Sequence, residues 1–338
     1  MSMDINSMID MNFKQKVRDT FGATGDAWLQ RLPAIVTKYA DLWKINLIRT
    51  VVNLSHNFIM YATDAHNVKV ILKIGIPSKS LESEIIALIA YDGNGCVKLL
   101  EYDLDDGVML LEDAEMGMNL SELTLSGRDE EAVRIVVEII EKLNLKNSPA
   151  TVPATIAAHQ NNQNSKRADV TNLASFAQVE DWLHGFKELH MHLVSEKTDG
   201  LFSVEIAERA EKEYCQLLSS SNKRVLLHGD LHHSNILWGK RGPWVAIDPK
   251  GVWGDPVFEV AAFTRNPVHD LLDLGGHNLK MLTKRRIELF SRYLSMDTNR
   301  IWSVSFAQAV LAGWWYYQDH KQACSTWNKM AEVFLAIE

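Results

Sequence analysis

VLLHGDLHHSNILW, residues 225–238, sets three histidines, an aspartate and an asparagine behind a short apolar run. Three readings compete for it. His228, Asp230, His232 and His233 are metal ligands by type. Their order, H-x-D-x-H-H, scrambles the H-x-H-x-D-H arrangement of metallohydrolases, and no second His/Asp cluster at matching spacing supports that reading. A polar turn, with Asp230 and Asn235 capping backbone groups, explains the residue types equally well in isolation. The third reading is a catalytic loop. His228, Asp230 and Asn235 fit H-x-D-x-x-x-x-N, an apolar strand follows, and WVAID returns to place Asp248 thirteen residues after Asn235. Phosphoryl transfer from a nucleotide needs these parts. One aspartate orients the acceptor hydroxyl and takes its proton, while an asparagine and a second aspartate hold magnesium against the phosphates.

Working outward, the segments before this loop should carry the nucleotide. INLIRTVV, NFIMYAT and VKVILKIG read as three antiparallel strands separated by polar breaks. SLESEIIALIAY reads as a helix capped by Ser80 or Ser83, and CVKLLEYD and GVMLLED as two more strands joined by DLDDG. Lys73, late in the third strand, is placed to hold the α- and β-phosphates. Glu84 on the helix is placed to hold Lys73, with Glu82 as the competing choice. In isolation each would be a solvated surface charge. No G-x-x-x-x-G-K-[ST] is present, which excludes a P-loop enzyme, and no G-x-G-x-x-G lies between the first strands. NLSHNF, 53–58, occupies that turn, so Ser55, Asn57 and nearby backbone N–H groups are the phosphate-covering candidates beside a plain hairpin. GVMLLEDA places the backbone of Glu112, Asp113 and Ala114 where an adenine edge would pair.

The rest is mainly helical. MNFKQKVRDTF and PAIVTKYADLW form an N-terminal helical extension, the second helix opening at Pro33. DEEAVRIVVEIIEKLNL is amphipathic, and residues 147–169 read as a loop rich in Pro, Asn, Gln and Ala. Helices follow at FAQVEDWLHGFKELHMHL and EIAERAEKEYCQLL. VLLH, NILWG and WVAID form a small β island, and the last 80 residues return to helix. The expected organisation is α+β in two lobes. Residues 1–44 form the extension, 45–115 a small lobe of antiparallel sheet with one key helix, and 116–338 a large helical lobe holding a β-hairpin, the catalytic loop and the acceptor site.

Composition narrows the partners. The chain of 338 residues has a formal charge of −8, so indiscriminate binding to nucleic acid or an anionic membrane is not expected. Cys96, Cys215 and Cys324 are dispersed and make neither a disulfide framework nor a structural zinc site. The first residues carry acids and no signal-peptide pattern, and no apolar run approaches a membrane span, so a cytoplasmic setting is expected.

HGDLHHSNIL together with AIDPKGVWGDPVFEVAAF resembles the aminoglycoside phosphotransferase family, in particular the branch of streptomycin 6-kinases and hydroxyurea resistance kinases. Ile71–Lys73, Glu84–Leu88 and Leu110–Glu112 match its VLK strand, its ExxAL helix and its LLE hinge, and the resemblance runs from about Leu47 to Pro267. It implies a two-lobed protein-kinase-like fold, ATP and Mg2+ as cofactors, and a small-molecule hydroxyl acceptor, usually a cationic aminocyclitol. It makes Asp230 the catalytic aspartate, Asn235 and Asp248 the magnesium ligands, and Lys73 and Glu84 the phosphate pair. His228 becomes a support of the loop. Glu259 departs from the GDPxxD pattern, where Asp is usual and braces the catalytic loop. Asp255, Glu259, Asp270 and Asp273 are candidates for a cationic acceptor, against helix capping or plain solvation. GWWYY, 313–317, offers a stacking surface, although its helical spacing suits core packing. Kinases of choline, homoserine, fructosamine or methylthioribose, and a nucleotide-binding module without turnover, are the alternatives. No A-P-E-type element follows Asp248, which disfavours a protein kinase.

Overall fold

The structure is a computed structural model that describes residues 5–52, 54–114, 119–145, 147–148, 151–152, 176–195, 201–239, 244–273 and 275–338. Most of the expected loop at 147–169, and all of its Asn/Gln-rich part, lies outside the described residues.

The small lobe is a five-stranded antiparallel sheet with one face on a long helix, α1 (Met11–Leu42). Its strands are β1 (Asn46–Thr50), β2 (Phe58–Thr63) and β3 (Lys69–Ile74), then, after helix α2 (Lys79–Tyr91), β4 (Leu99–Asp103) and β5 (Val108–Glu112). They lie in the order β1-β2-β3-β5-β4. Side chains alternate between faces along a strand. Phe58, Met60 and Ala62 on β2 and Val70, Leu72 and Ile74 on β3 pack with Phe13, Val17, Trp28, Leu32, Val36 and Tyr39 of α1 in one core. The intervening Ile59, Tyr61, Ile71 and Lys73 face a cleft. The N-terminal segment therefore supplies the backing of the sheet. Its end is pinned by Lys38 and the Tyr39 hydroxyl, which donate to Asp106 in the β4–β5 turn at 2.6 and 3.0 Å. α1 is bent at Gly22, whose φ of 55° breaks the helical path, and Pro33 lies inside the second half instead of opening it.

From Leu81 on, every residue of α2 but Glu82 is buried, as suits a helix wedged between two bodies. Ser78 caps it, its hydroxyl accepting from Leu81 N at 3.3 Å, two residues before Ser80 and five before Ser83, the expected caps. In the large lobe, α3 (Leu120–Leu125) and α4 (Asp129–Asn144) precede the short strand β6 (Ala177–Gln178). A 3-10 turn, Val179–Trp182, leads into α5 (Leu183–Ser195), so the helix expected from Phe176 begins later. α6 (Val204–Ser219) is followed by β7 (Val225–Leu227), β8 (Ile236–Trp238), β9 (Trp244–Ala246) and β10 (Val252–Gly254). β8 and β9 form the expected hairpin. β7 pairs instead with β10, which carries β6 on its other side, a strand triplet the alternation did not reveal. After α7 (Ala261–Thr264) and α8 (Val268–Leu272), the long helices α9 (Gly276–Leu294), α10 (Thr298–His320) and α11 (Ser325–Leu335) complete the lobe. Among the described residues, no helix is long and apolar enough to cross a membrane.

Candidate active site

The period of β3 carries Lys73 to the cleft side of the sheet while its neighbours enter the core. Only 2% of it is exposed. Its Nζ donates to Glu84 Oε1 at 2.5 Å and to Asp248 Oδ1 at 3.0 Å. Three distant segments thus meet on one ammonium: β3, the second turn of α2 and the end of the segment after β9. Burial works against the charge on Lys73, but the two carboxylates outweigh it and hold the ammonium protonated above its usual range. Burial pushes the Glu84 carboxyl above its usual range, with Lys73 opposing. Glu82, the competing partner, stays half-exposed on the opposite side of its turn.

Gly251 lets α2 come this close. A Cβ there would lie 2.3 Å from the Ser83 carbonyl oxygen and 3.1 Å from Ala87 Cβ, and its φ of +64° is one that other residues rarely adopt. The glycine of IDPKG is therefore the seat of the helix that carries Glu84.

The 228–235 loop is held from within and from below. The His228 ring Nε2 lies 2.9 Å from the Ile247 carbonyl, and its Nδ1 accepts from Asp230 N at 3.3 Å. Burial lowers the pKa of this imidazole to about 4, so it stays neutral. Asn235 Nδ2 donates to the Asp230 carbonyl at 3.0 Å, and Ile247 N donates to the Asn235 carbonyl at 2.9 Å. These bonds bring the Asn235 and Asp248 backbones together and leave the Asn235 side-chain oxygen as its open acceptor. Asp248 holds a left-handed φ of 58° at this junction. Burial opposes ionisation of Asp230, yet His232, Lys250 and Arg265 outweigh it, and its pKa is lowered. The same balance, with Lys73 as the chief counter-charge, lowers that of Asp248.

Beneath the loop, Glu259 accepts from His228 N at 2.7 Å and Gly229 N at 3.0 Å. Burial raises its pKa to about 7, the two N–H donors and the Asp230 charge being weaker influences. His233 is buried, stacked on Phe263 at 3.9 Å, with Nε2 3.1 Å from the Thr124 hydroxyl. The neighbouring Arg286 is wholly buried. Its Nε and Nη2 donate to the Asp129 carboxylate at 2.6–3.1 Å, and its Nη1 donates to the carbonyls of Phe263, Thr264 and Asn266.

Two hollows flank this centre. An apolar slot of about 120 Å3 is lined by Tyr61, Ile71, Val97, Leu111, Leu237 and Ile247, with residues 112–114 at its edge and Lys73 and Asp248 at its end. A larger cavity of about 580 Å3 is lined by Asp230, Lys250, Arg265, Gln308, Trp182 and Trp315, with Lys79 and Asp181 also at its wall.

The structure thus gathers Lys73, Glu84, Asp248, Asp230 and Asn235, with Glu112, Asp113 and Ala114 at the slot. Ser55 is exposed in the β1–β2 turn. The Asn57 side chain lies over Gly75, where its Oδ1 would be 2.5 Å from a Cβ. Neither residue lines the slot or the larger cavity. The four expected acceptor carboxylates lie elsewhere, Asp273 being exposed at the end of α8. Asp255 caps the following turn through Val257 N at 3.0 Å and pairs with Arg300 at 2.7 Å, in a separate depression. Asp270 is exposed on α8. Glu259 faces the loop backbone. Of the GWWYY stretch, Trp314 is buried while Trp315 lines the larger cavity. Arg265, Gln308, Trp182 and Asp181 were not anticipated. They come from segments whose pattern reads as core or capping, and no spacing signals that the fold turns them to one cavity.

The two-lobed fold together with the following likenesses defines the class: a protein-kinase-like phosphotransferase with an alcohol group as acceptor. Residues 55–320 match the family described as aminoglycoside/hydroxyurea antibiotic resistance kinase. The chain belongs to that family. Streptomycin 6-kinase of Streptomyces griseus is 24% identical over 88% of this chain and 87% of its own length. Hydroxyurea phosphotransferase of Kitasatospora aureofaciens is 28% identical over 71% of this chain and 62% of its own. Among solved structures, Plasmodium vivax ethanolamine kinase shares the fold at 13% identity, with a TM-score of 0.57 over 99% of this chain and 94% of that one. The amicoumacin kinase solved with AMP-PNP, Ca2+ and Ami does so at 15% identity, with a TM-score of 0.53 over 89% and 91%.

Proposed function

We propose that this protein transfers the γ-phosphate of ATP to a hydroxyl of a small molecule, with an aminocyclitol of the streptomycin type as the first candidate acceptor. The observation that carries the reading is the meeting of Lys73, Glu84 and Asp248 at the mouth of the apolar slot, beside a loop that turns Asp230 toward the second cavity. Adenine occupies the slot against the backbone of residues 112–114. Lys73, oriented by Glu84, meets the phosphates. The Asn235 side-chain oxygen and the Asp248 carboxylate are hard oxygen donors on adjoining backbone, the pair that would hold Mg2+. When bound, Mg2+ neutralises charge that builds on the phosphoryl oxygens.

Asp230 accepts a hydrogen bond from the acceptor hydroxyl and orients its oxygen in line with the γ-phosphorus. Its lowered pKa keeps it ionised at neutral pH, and the hydroxyl proton passes to it as the new O–P bond forms and the γ-phosphorus leaves the bridging oxygen of ADP. Neutral His228 and Glu259 fix the loop and take no part in the transfer.

Two features bear on the acceptor. The relatives named for streptomycin favour an aminocyclitol. The described wall of the acceptor cavity sets Lys79, Lys250 and Arg265 against Asp181 and Asp230, so it is not the acidic pocket that a polycation favours. That balance favours a second reading, a small neutral acceptor such as hydroxyurea, which the other relative's name carries. Both are separated by ADP release and product mass with streptomycin, other aminoglycosides, hydroxyurea, choline, homoserine and methylthioribose. A phosphorylated streptomycin supports the first reading, and hydroxyurea as the only substrate replaces it. Turnover of none of them, with ATP bound, overturns both in favour of a module without transfer.

A further inference from the structure

The acceptor cavity has a floor of two buried side chains with unfilled donors. Arg265 is 6% and Gln308 2% exposed. Arg265 Nη1 donates to Gln308 Oε1 at 3.0 Å. Among the described residues, the guanidinium Nε and the Gln308 Nε2 are buried without a partner. None of the ion pairs among the described residues uses Arg265, and Asp230 is the carboxylate whose charge acts on it. A buried guanidinium ordinarily has a carboxylate. An orphaned buried donor calls for an explanation.

The geometry removes alternatives for the pair. Turning the Gln308 amide over would point its NH2 at the guanidinium, so Arg265 fixes the amide with its oxygen inward. All capacity left over is then donor capacity, since Arg accepts nothing and the amide oxygen is used. Both side chains sit on rigid supports. Gln308 is in the buried middle of α10, and the three carbonyls flanking Arg265 are held by Arg286. Asp230 lines the same cavity.

We propose that Arg265 and Gln308 are specificity-determining residues that receive a carbonyl or carboxylate oxygen of the acceptor, next to the hydroxyl presented to Asp230. An ammonium at that place faces the donors of Arg265 and Gln308, with Asp230 as the neighbouring counter-charge, and binds less well than an oxygen acceptor. This deepens the kinase reading by naming the chemistry around the reacting hydroxyl, and it rests on that reading only for the role of Asp230.

Glycolate and ethanolamine test it, because both carry a hydroxymethyl group and they differ in a carboxylate against an ammonium. Binding to the full chain with Mg2+ and AMP-PNP is followed by ligand-observed NMR, without turnover. Glycolate is expected to bind at least about tenfold more tightly than ethanolamine. Gln308→Glu, which gives Arg265 a carboxylate of its own, removes that preference and raises the melting temperature. Arg265→Met loses glycolate binding and carries the test if the first variant does not fold. Equal or tighter binding of ethanolamine, no binding of glycolate, or a preference that survives both substitutions overturns the proposal. Because binding is read alone, failure of phosphate transfer would overturn the kinase reading and leave this result interpretable.

Discussion

Asp129→Asn isolates the buried network under the catalytic loop. Asp129 is 6% exposed and takes three hydrogen bonds from Arg286, which is wholly buried, and one from Thr124 at 2.8 Å. The substitution keeps the volume and removes the charge, leaving a guanidinium in the interior with only the Phe263, Thr264 and Asn266 carbonyls as strong partners. Removing one partner of a buried pair costs about 3–5 kcal/mol, because the other charge stays desolvated. The three carbonyls still share that charge, so the lower end, about 3 kcal/mol, is expected. That is a large part of the roughly 5–15 kcal/mol that holds a domain together. Equilibrium urea unfolding of wild type and variant, compared at a common slope, reads the difference. A shift below about 0.5 kcal/mol, the size of an ordinary surface substitution, would refute the claim that this pair holds the loop. Asp129→Leu with Arg286→Met should recover only part of the loss, since three backbone carbonyls would then lack donors.

Other outcomes follow from the same geometry. Gly251→Ala places a methyl group on the Ser83 carbonyl at a left-handed φ, so α2 must retreat and Glu84 withdraws from Lys73; the expected cost is about 2 kcal/mol of stability, with a weaker Kd for ATP by titration calorimetry. Lys73→Met should lower kcat/KM by about 100-fold in an ADP-release assay, because it removes the cation proposed for the phosphates and leaves Asp248 unpaired. Glu259 titrates near 7 in the folded chain against about 4.3 unfolded, so the folded state holds the extra proton between those values. Its contribution to stability is complete below the lower value and is lost as pH rises through 7. Unfolding midpoints of wild type relative to Glu259→Gln should therefore fall from pH 4.5 to 7.5, and a flat difference would contradict the buried carboxyl.

Much of the site was legible because its signals are local. The two-residue period of VKVILKIG fixes which face Lys73 occupies, and H-x-D-x-x-x-x-N places Asp230 and Asn235 on one turn. Other features depend on contacts that sequence spacing does not encode. β10 is three residues long, too short for an alternation to register. Asp255 and Asp270 have the right charge for an acceptor site, but one is committed to a cap and Arg300 and the other to a surface helix. Arg265 lies 35 residues beyond Asp230, and Gln308 is 43 residues further along, within a helix whose pattern is that of core. The N-terminal helices read as an appendage because their apolar stripe names no partner. The sheet face of β2, β3 and β5 supplies it.

The central claim is that the Asp230 loop transfers phosphate from a nucleotide held by Lys73, and one comparison tests it most directly. Purified wild type and Asp230→Asn are incubated with [γ-32P]ATP, Mg2+ and the acceptor panel, and ATP binding is titrated in parallel. The account predicts a labelled acceptor with wild type, loss of labelling in the variant by a factor of at least about 1,000, and a Kd for ATP within about threefold of wild type. Undiminished labelling by the variant, or a wild type that binds ATP and labels nothing, would contradict it.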